Sequence, residues 1–217
     1  MKPPHTAKPD PTNFTRRIVE LRQGLLHADP RQLERYTGAT FIPRENQQGE
    51  FQFNLWNSPT TLSYPDFIAR QASSQGELSA VNQALLLYYF TTADGTPLSG
   101  RWISFSELPN GRFYAQAFQG YTGNELGRAI ANDQSGFEKA AESLGGVHQP
   151  LADASYAFQA LPRAPVLIAC WKGDEDFPSN YQVLFDGSAS HYLPTDAYAI
   201  LGSTLIHRLL GVYHAHS

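Results

Sequence analysis

The sequence predicts a single α+β domain with helices packed on a mostly antiparallel central sheet. Helix-type and strand-type stretches are segregated along the chain rather than alternating, which favours this class over a doubly wound parallel sheet. The chain has 217 residues, 41% of them hydrophobic, enough to bury one large core without disulfides or metals. We therefore assign residues 12–217 to one domain and residues 1–11, which hold four prolines, to a disordered tail.

In the first half of the chain, a capping signal predicts a helix and an alternating pattern predicts a strand. Asp29-Pro30 combines an N-cap side chain with proline at the first helical position, which begins a short helix. Phe51, Phe53 and Leu55 alternate with polar residues, which is typical of a half-buried strand. By the same criteria we predict helices over 12–26 and 30–36, strands over 41–42, 50–55 and 60–64, a helical turn at 64–66 and an apolar helix over 78–90.

In the second half, one apolar run predicts the centre of the sheet. Residues 166–170 are continuously apolar between Pro165 and Gly173, a pattern typical of a strand buried on both faces. Residues 181–185 have the same character, and we expect them to pair antiparallel with that run. The other predicted elements are a strand over 102–105, two or three helices within 113–144, a strand over 154–161 and a last helix over 195–212.

Composition excludes several classes of partner and site. The net charge is −4, whereas a nucleic-acid surface needs clustered lysine and arginine. Cys170 is the single cysteine, so this chain cannot form an internal disulfide or a cysteine-ligated zinc or iron–sulfur centre by itself. No apolar stretch is long enough to span a bilayer and the N-terminus lacks a secretory signal. We expect a soluble, cytoplasmic protein with neither nucleic-acid nor membrane partners.

The segment 171–196 carries the residues with the clearest chemical potential. Asp174, Glu175 and Asp176 follow the central apolar run, while Asp186 and His191 follow its predicted partner strand. An antiparallel hairpin would place Asp186 at the opposite end from the three acids, so we do not expect them to share one site. The three acids are interpreted either as a solvated turn or as oxygen ligands of a metal.

Asp186 and His191 are the candidate catalytic residues. In the functional interpretation, Asp186 orients His191 as a general base or a metal ligand. In the structural interpretation, Asp186 caps the turn at Asp186-Gly187 and His191 packs beside Tyr192. The sequence leaves both interpretations open.

Aromatic residues make up 12% of the chain, and two runs of them are candidates for lining a pocket. The first run covers 87–90, and the second comprises Phe113, Tyr114, Phe118 and Tyr121. Such side chains can line a pocket for a planar ligand. The alternative is that aromatic residues at helical spacing belong to the core.

Several of these segments resemble the DUF3786 family of uncharacterised prokaryotic proteins. The resemblance lies in residues 165–178, 182–186 and 191–196, with further similar pieces at 94–100 and 102–108, and it spans about 80–210. It implies no established activity. It does imply an association with corrinoid or one-carbon systems and, in some relatives, a cysteine-rich iron–sulfur segment, which this chain does not contain.

Three functional hypotheses follow, and they leave open whether the protein is an enzyme. The first is a cytoplasmic protein that binds a small molecule, with a planar or tetrapyrrole-type ligand as the favoured class, in an aromatic-lined pocket. The second is a metal-assisted hydrolase or lyase that uses Asp186 and His191, with the acids at 174–176 as further ligands. The third is an interaction subunit without a catalytic site.

Overall fold

The computed structural model describes residues 11–74, 76–174 and 177–216. Its helices are α1 Pro11–Leu25, α2 Pro30–Thr37, α3 Ala80–Thr92, α4 Ala115–Gly120, α5 Gly123–Ile130, α6 Gln134–Ser143 and α7 Thr195–His216. Its strands are β1 Thr40–Pro43, β2 Gly49–Leu55, β3 Ser58–Tyr64, β4 Ala69–Gln71, β5 Trp102–Ser104, β6 Val147–His148, β7 Ala154–Leu161, β8 Ala164–Trp171 and β9 Asn180–Asp186. The α+β class is confirmed, and residues 1–10 of the predicted tail lie outside the described residues.

The strands divide into two antiparallel sheets. One has the order β1-β2-β3-β4, and the other has the order β5-β9-β8-β7-β6. The strands predicted over 50–55 and 60–64 are confirmed, and they pair as the β2–β3 hairpin, in which Phe51 lies opposite Leu62. Both of these side chains are fully buried, so the alternation read from the sequence marks the face of the strand that meets the core.

Capping residues bound the short helix that the Asp29-Pro30 signal predicts. The Asp29 side chain accepts a hydrogen bond from the Arg31 backbone N–H at 3.0 Å, and Gly38 ends α2 with a left-handed φ of 73°. The side chain of Ser79 caps α3 in the same way. Pro11, which the sequence analysis assigned to the tail, is the first residue of α1.

No helix starts at 64–66, where the sequence predicts a short helical piece. Tyr64 is the last residue of β3, and the chain then reverses to form β4. Ser63 closes the reversal, since its carbonyl accepts from the Phe67 N–H at 2.9 Å and its own N–H donates to the Ile68 carbonyl at 3.1 Å. These bonds turn the backbone back onto β3, so the pairing of two strands overrides the local helix signal.

The five-stranded sheet fixes the position of the candidate residues. β8 is its central strand, and Val166, Ile168 and Cys170 are fully buried, as the continuous apolar run predicts. Residue pairs along the β8–β9 hairpin run from Trp171 opposite Asn180 to Val166 opposite Phe185. Lys172, which follows β8, and Ser179, which precedes β9, therefore lie at one end of the hairpin, and Asp186 lies at the other.

Aromatic packing joins this sheet to the helices beside Asp186. Phe105 and Phe118 stack with ring centroids 4.2 Å apart, and Phe185 packs against Tyr198 of α7 at 4.9 Å. Much of the aromatic content is thus core, as one of the two sequence interpretations holds. Phe113 is different, because 85% of its surface is exposed.

Candidate functional site

Asp186 lies at the end of β9 as a buried carboxylate that accepts five hydrogen bonds. Only 4% of the residue is exposed. Oδ1 accepts from the N–H and the hydroxyl of Ser99 and from the N–H and the hydroxyl of Ser188, and Oδ2 accepts from the Gly100 N–H, all at 2.6 to 3.1 Å. Burial alone would raise the pKa of Asp186, but the bonds from Ser188, Ser99 and Gly100 outweigh it and lower that pKa.

These bonds make Asp186 the junction between its own turn, through Ser188, and a loop more than eighty positions earlier in the chain. They connect β9 to the loop through Ser99 and Gly100 on one side and to Ser188 on the other. The Gly187 N–H adds a bond of 2.7 Å to the Arg101 carbonyl. Asp186 is therefore a positioning residue, which fixes where Arg101 and the 187–190 segment stand.

Two adjoining cavities open beside this junction. The first, the Arg112 cavity, has a volume of about 730 Å³, and the second, the Thr195 cavity, has a volume of about 500 Å³. The Arg112 cavity is lined chiefly by Arg101, Ser106, Glu107, Arg112, Phe113 and Gly187. The Thr195 cavity is lined chiefly by Tyr114, Leu193, Pro194, Thr195 and Asp196. Pro109, Asn110 and Ser190 line both and form the wall between them.

The wall at 104–113 is held by local bonds and by one close approach. Ser104 and Glu107 form a reciprocal capping box, with the Ser104 N–H donating to Glu107 Oε2 at 2.8 Å. Asn110 adopts a left-handed φ of 60°. The next residue, Gly111, passes so near the backbone that a Cβ there would stand 1.9 Å from the Phe105 carbonyl oxygen. Glycine is thus required sterically at this position.

The charges at the Arg112 cavity are predominantly positive. Arg101 lies 3.8 Å from Glu107, a long ion pair between exposed side chains. Glu107 is already held by the N–H and hydroxyl of Ser104, and these bonds lower its pKa. Within the described part of the chain, no residue forms a hydrogen bond or ion pair with the Arg112 guanidinium. The cavity therefore presents one cation whose donors are available to a ligand.

The carboxylate that contacts His191 is Asp94, where the sequence hypothesis assigned that role to Asp186. His191 Nδ1 lies 2.7 Å from Asp94 Oδ2 and 3.1 Å from Thr96 Oγ1. The hydrogen bond from His191 is the main cause that lowers the pKa of Asp94 to about 2, and bonds from Thr96 add to it. Because an ionised carboxylate only accepts, Nδ1 carries the shared proton and Nε2 faces away from the pair.

The Asp186 carboxylate and the His191 imidazole have separate partners, and no hydrogen bond joins them. The reason is geometric. The loop that follows α3 brings Asp94 and Thr96 to His191. The same loop continues to Ser99 and Gly100, which donate hydrogen bonds to the Asp186 carboxylate.

Of the three acids at the other end of the hairpin, Asp174 lies within the described residues and bonds to the backbone of Phe177. Asp174 Oδ1 accepts from the Phe177 N–H at 2.8 Å. Glu175 and Asp176 lie outside the described residues, so this part of the hypothesis stays a prediction. Across the described ranges, no three His, Cys, Asp or Glu side chains form a group that could hold a metal ion.

Sequence reasoning missed Asp94, Arg101 and Arg112. Each of the three stands apart from other charged side chains in the sequence, so no local pattern points to it. Arg101 comes just before β5, which pairs with β9, and that pairing is what brings it beside Asp186. A long-range strand pair of this kind leaves no local signal.

A known family model matches most of the chain. The model of the family described as "Domain of unknown function (DUF3786)" matches residues 29–208. No curated protein and no solved structure matches the chain significantly. No helix in the described ranges is long and apolar enough to cross a membrane.

Proposed function

The chain belongs to the DUF3786 family, and we propose that it binds a small molecule in the two cavities beside Asp186. The observation that carries the proposal is the convergence there of polar and aromatic side chains on a space of suitable size. The Arg112 cavity, at about 730 Å³, falls within the range of about 300 to 1,000 Å³ typical of small-molecule sites. The favoured class remains a planar ligand, with tetrapyrroles as one member.

The way the walls are built supports binding. Asp186 fixes the Ser99–Gly100 loop and Ser188, and Gly111 fixes the 105–111 turn. A cavity whose walls are held before the ligand arrives loses less conformational entropy on binding. Phe113 and Tyr114, which are 85% and 62% exposed, supply flat apolar surface at the two cavities.

Metal-assisted chemistry at Asp186 and His191 has weaker support. A metal would have to displace donors that already satisfy Asp186, and His191 is engaged by Asp94 through Nδ1. The interaction-subunit hypothesis makes a distinct prediction, namely a partner that co-purifies with the protein and no response to small ligands.

Blocking the shared wall tests the proposal. Ser190 is exposed and lines both cavities, so Ser190→Trp should fill them without removing a core contact. We expect thermal stabilisation of the wild-type protein by at least one member of a panel of planar ligands, including tetrapyrroles, and its loss in Ser190→Trp.

The matched control is Ser143→Trp, because Ser143 is an exposed serine on α6 that lines neither cavity. This variant should respond to ligands as the wild-type protein does. If no ligand stabilises the wild-type protein, or if Ser190→Trp responds unchanged, the proposal is wrong.

A further inference from the structure

We propose that the ligand of the Arg112 cavity is a planar organic anion, whose oxyanion is bound by Arg112 and Arg101 and whose ring lies against Phe113. This inference rests on the proposed function and specifies its ligand class. The lining of this cavity combines two arginines with an exposed aromatic ring.

The charge of the cavity lining favours an anionic ligand. The chain as a whole has a net charge of −4, yet the Arg112 cavity is lined by two arginines and one carboxylate, Glu107. That carboxylate is turned toward Ser104, which donates to Glu107 Oε2 from both its N–H and its hydroxyl. An anion that enters the cavity therefore meets a local excess of positive charge.

The Arg112 guanidinium is available to bind an oxyanion. Arginine in folded proteins usually finds a carboxylate or carbonyl partner, and Arg17, Arg31 and Arg44 each form an ion pair here. The Arg112 guanidinium has no such bond to any residue in the described ranges. Its planar set of N–H donors matches a carboxylate or a phosphate in a two-point contact. The exposed hydroxyl of Ser190 in the same lining adds a further donor.

The ring of Phe113 offers exposed apolar surface to a planar ligand. It is 85% exposed although it follows Arg112 directly in the chain and lines the same cavity. A planar ligand would remove this apolar surface from water, and aromatic pairs are stabilised further by offset or edge-to-face contact. An inorganic anion would use only the arginines, and a neutral ring only Phe113. The combination selects a ligand that carries both features.

The test uses ligands that share one ring and differ in charge. Isothermal titration of the full chain would compare 2-naphthoate and 2-naphthyl phosphate with the neutral 2-naphthamide, and inorganic phosphate would represent the anion without a ring. We expect at least one naphthyl anion to bind more tightly than both the amide and inorganic phosphate. The carboxylate and phosphate arms distinguish which oxyanion the site accepts.

Variants then locate the anion. Arg112→Gln should weaken binding of the preferred anion by about tenfold or more, the usual effect of losing a charged hydrogen-bond pair. Phe113→Ala should weaken it for the naphthyl anions and leave inorganic phosphate unchanged. Arg112 is exposed and unbonded in the described structure, so its replacement should leave the thermal unfolding temperature intact. Arg35→Gln is the control, because Arg35 is an exposed arginine of α2 that lines neither cavity.

The outcomes separate the two proposals. Equal affinity for the amide and the anions, or unchanged affinity in Arg112→Gln, overturns the anion inference and leaves small-molecule binding standing. Failure of both naphthyl anions to bind also overturns it. Failure of every ligand here and in the planar panel overturns the proposed function as well.

Discussion

The two ends of the β8–β9 hairpin use the same kind of bond for different purposes. At the turn end, Asp174 accepts from the Phe177 N–H at 2.8 Å, so the bond closes a loop of neighbouring residues. At the opposite end, Asp186 accepts from nearby Ser188 and also from Ser99 and Gly100, so some of its bonds join segments far apart in the chain. An acid in a turn sequence can therefore serve a local turn or a long-range junction.

Burial explains why the difference matters energetically. Asp174 is exposed and water can replace its protein donor, whereas Asp186 is 4% exposed. A buried carboxylate is tolerated only while its hydrogen bonds are complete. The Asp186 end also forms the walls of the two cavities, so we expect its perturbation to reach ligand binding.

The largest expected effect comes from Asp186→Asn. The amide keeps the shape of the side chain, but it removes the charge and turns an NH₂ group toward N–H and hydroxyl donors. We expect a loss of about 3 kcal/mol in the free energy of unfolding, within the range for breaking a buried charged hydrogen-bond group. Urea denaturation monitored by circular dichroism measures it.

Asp174→Asn at the turn end is the control for this comparison. Since Asp174 is exposed, we expect a loss below about 1 kcal/mol. Equal losses at the two ends would contradict the distinction drawn from burial.

Acid should remove the difference between wild-type protein and Asp186→Asn. The pKa of Asp186 in the folded protein is lowered below its ordinary value of 3.8, so its contribution is complete above that value and is lost as the pH falls through the lower folded-state pKa. Urea titrations between pH 6 and about pH 2 should show the two stability curves converging on the acid side. A gap that persists unchanged would mean that the carboxylate charge is not the source of the stabilisation.

A smaller and more selective effect is expected from a pair of buried serines. Ser188 donates to Asp186 at 2.6 Å, and Ser179 at the turn end donates to Asn132 at 2.9 Å. Each change to alanine removes one hydroxyl from a site that is at most 6% exposed, so we expect each to cost about 1 to 2 kcal/mol.

Ligand binding should separate the two serine variants. Ser188→Ala loosens the wall that carries Ser190 and should weaken binding in the cavities, whereas Ser179→Ala should leave it unchanged. Calorimetric titration with the ligand that stabilises the wild-type protein gives the comparison. Equal binding by both variants would show that the Asp186 junction does not shape the cavities.

The sequence predicted the hairpin and its two ends correctly because the signals are local. The apolar run of β8 and the spacing to β9 are enough to place the segment 172–179 and Asp186 at opposite ends. The capping of α2 by Asp29 is local in the same sense. The prediction at 64–66 failed because the pairing of β3 with β4, a tertiary interaction, overrode the local helix pattern.

The candidate site was only half predictable because its partners come from another part of the chain. Asp186 and His191 are close in sequence, which favoured pairing them. The structure instead supplies Ser99 to one and Asp94 to the other, in each case from more than eighty positions away. Long-range pairing of this kind depends on β5 docking against β9, and the residues themselves do not encode it locally.

The smallest effect sharpens the role of Asp94, the acid that replaces Asp186 as the partner of His191. Both residues are about half exposed, so His191→Ala should change the stability at neutral pH very little. It should raise the pKa of Asp94 from about 2 toward 3.8, because His191 is the main cause of the lowering. The rise should be incomplete, since the Thr96 N–H still donates to Asp94 at 2.9 Å.

NMR titration of the Asp94 carboxyl carbon measures this pKa directly, with the carboxyl of Asp186 as the internal reference whose pKa should not change. A pKa of Asp94 that is unchanged in His191→Ala would mean that the histidine does not hold the carboxylate, and a shift at Asp186 would mean that the two acids form one coupled site.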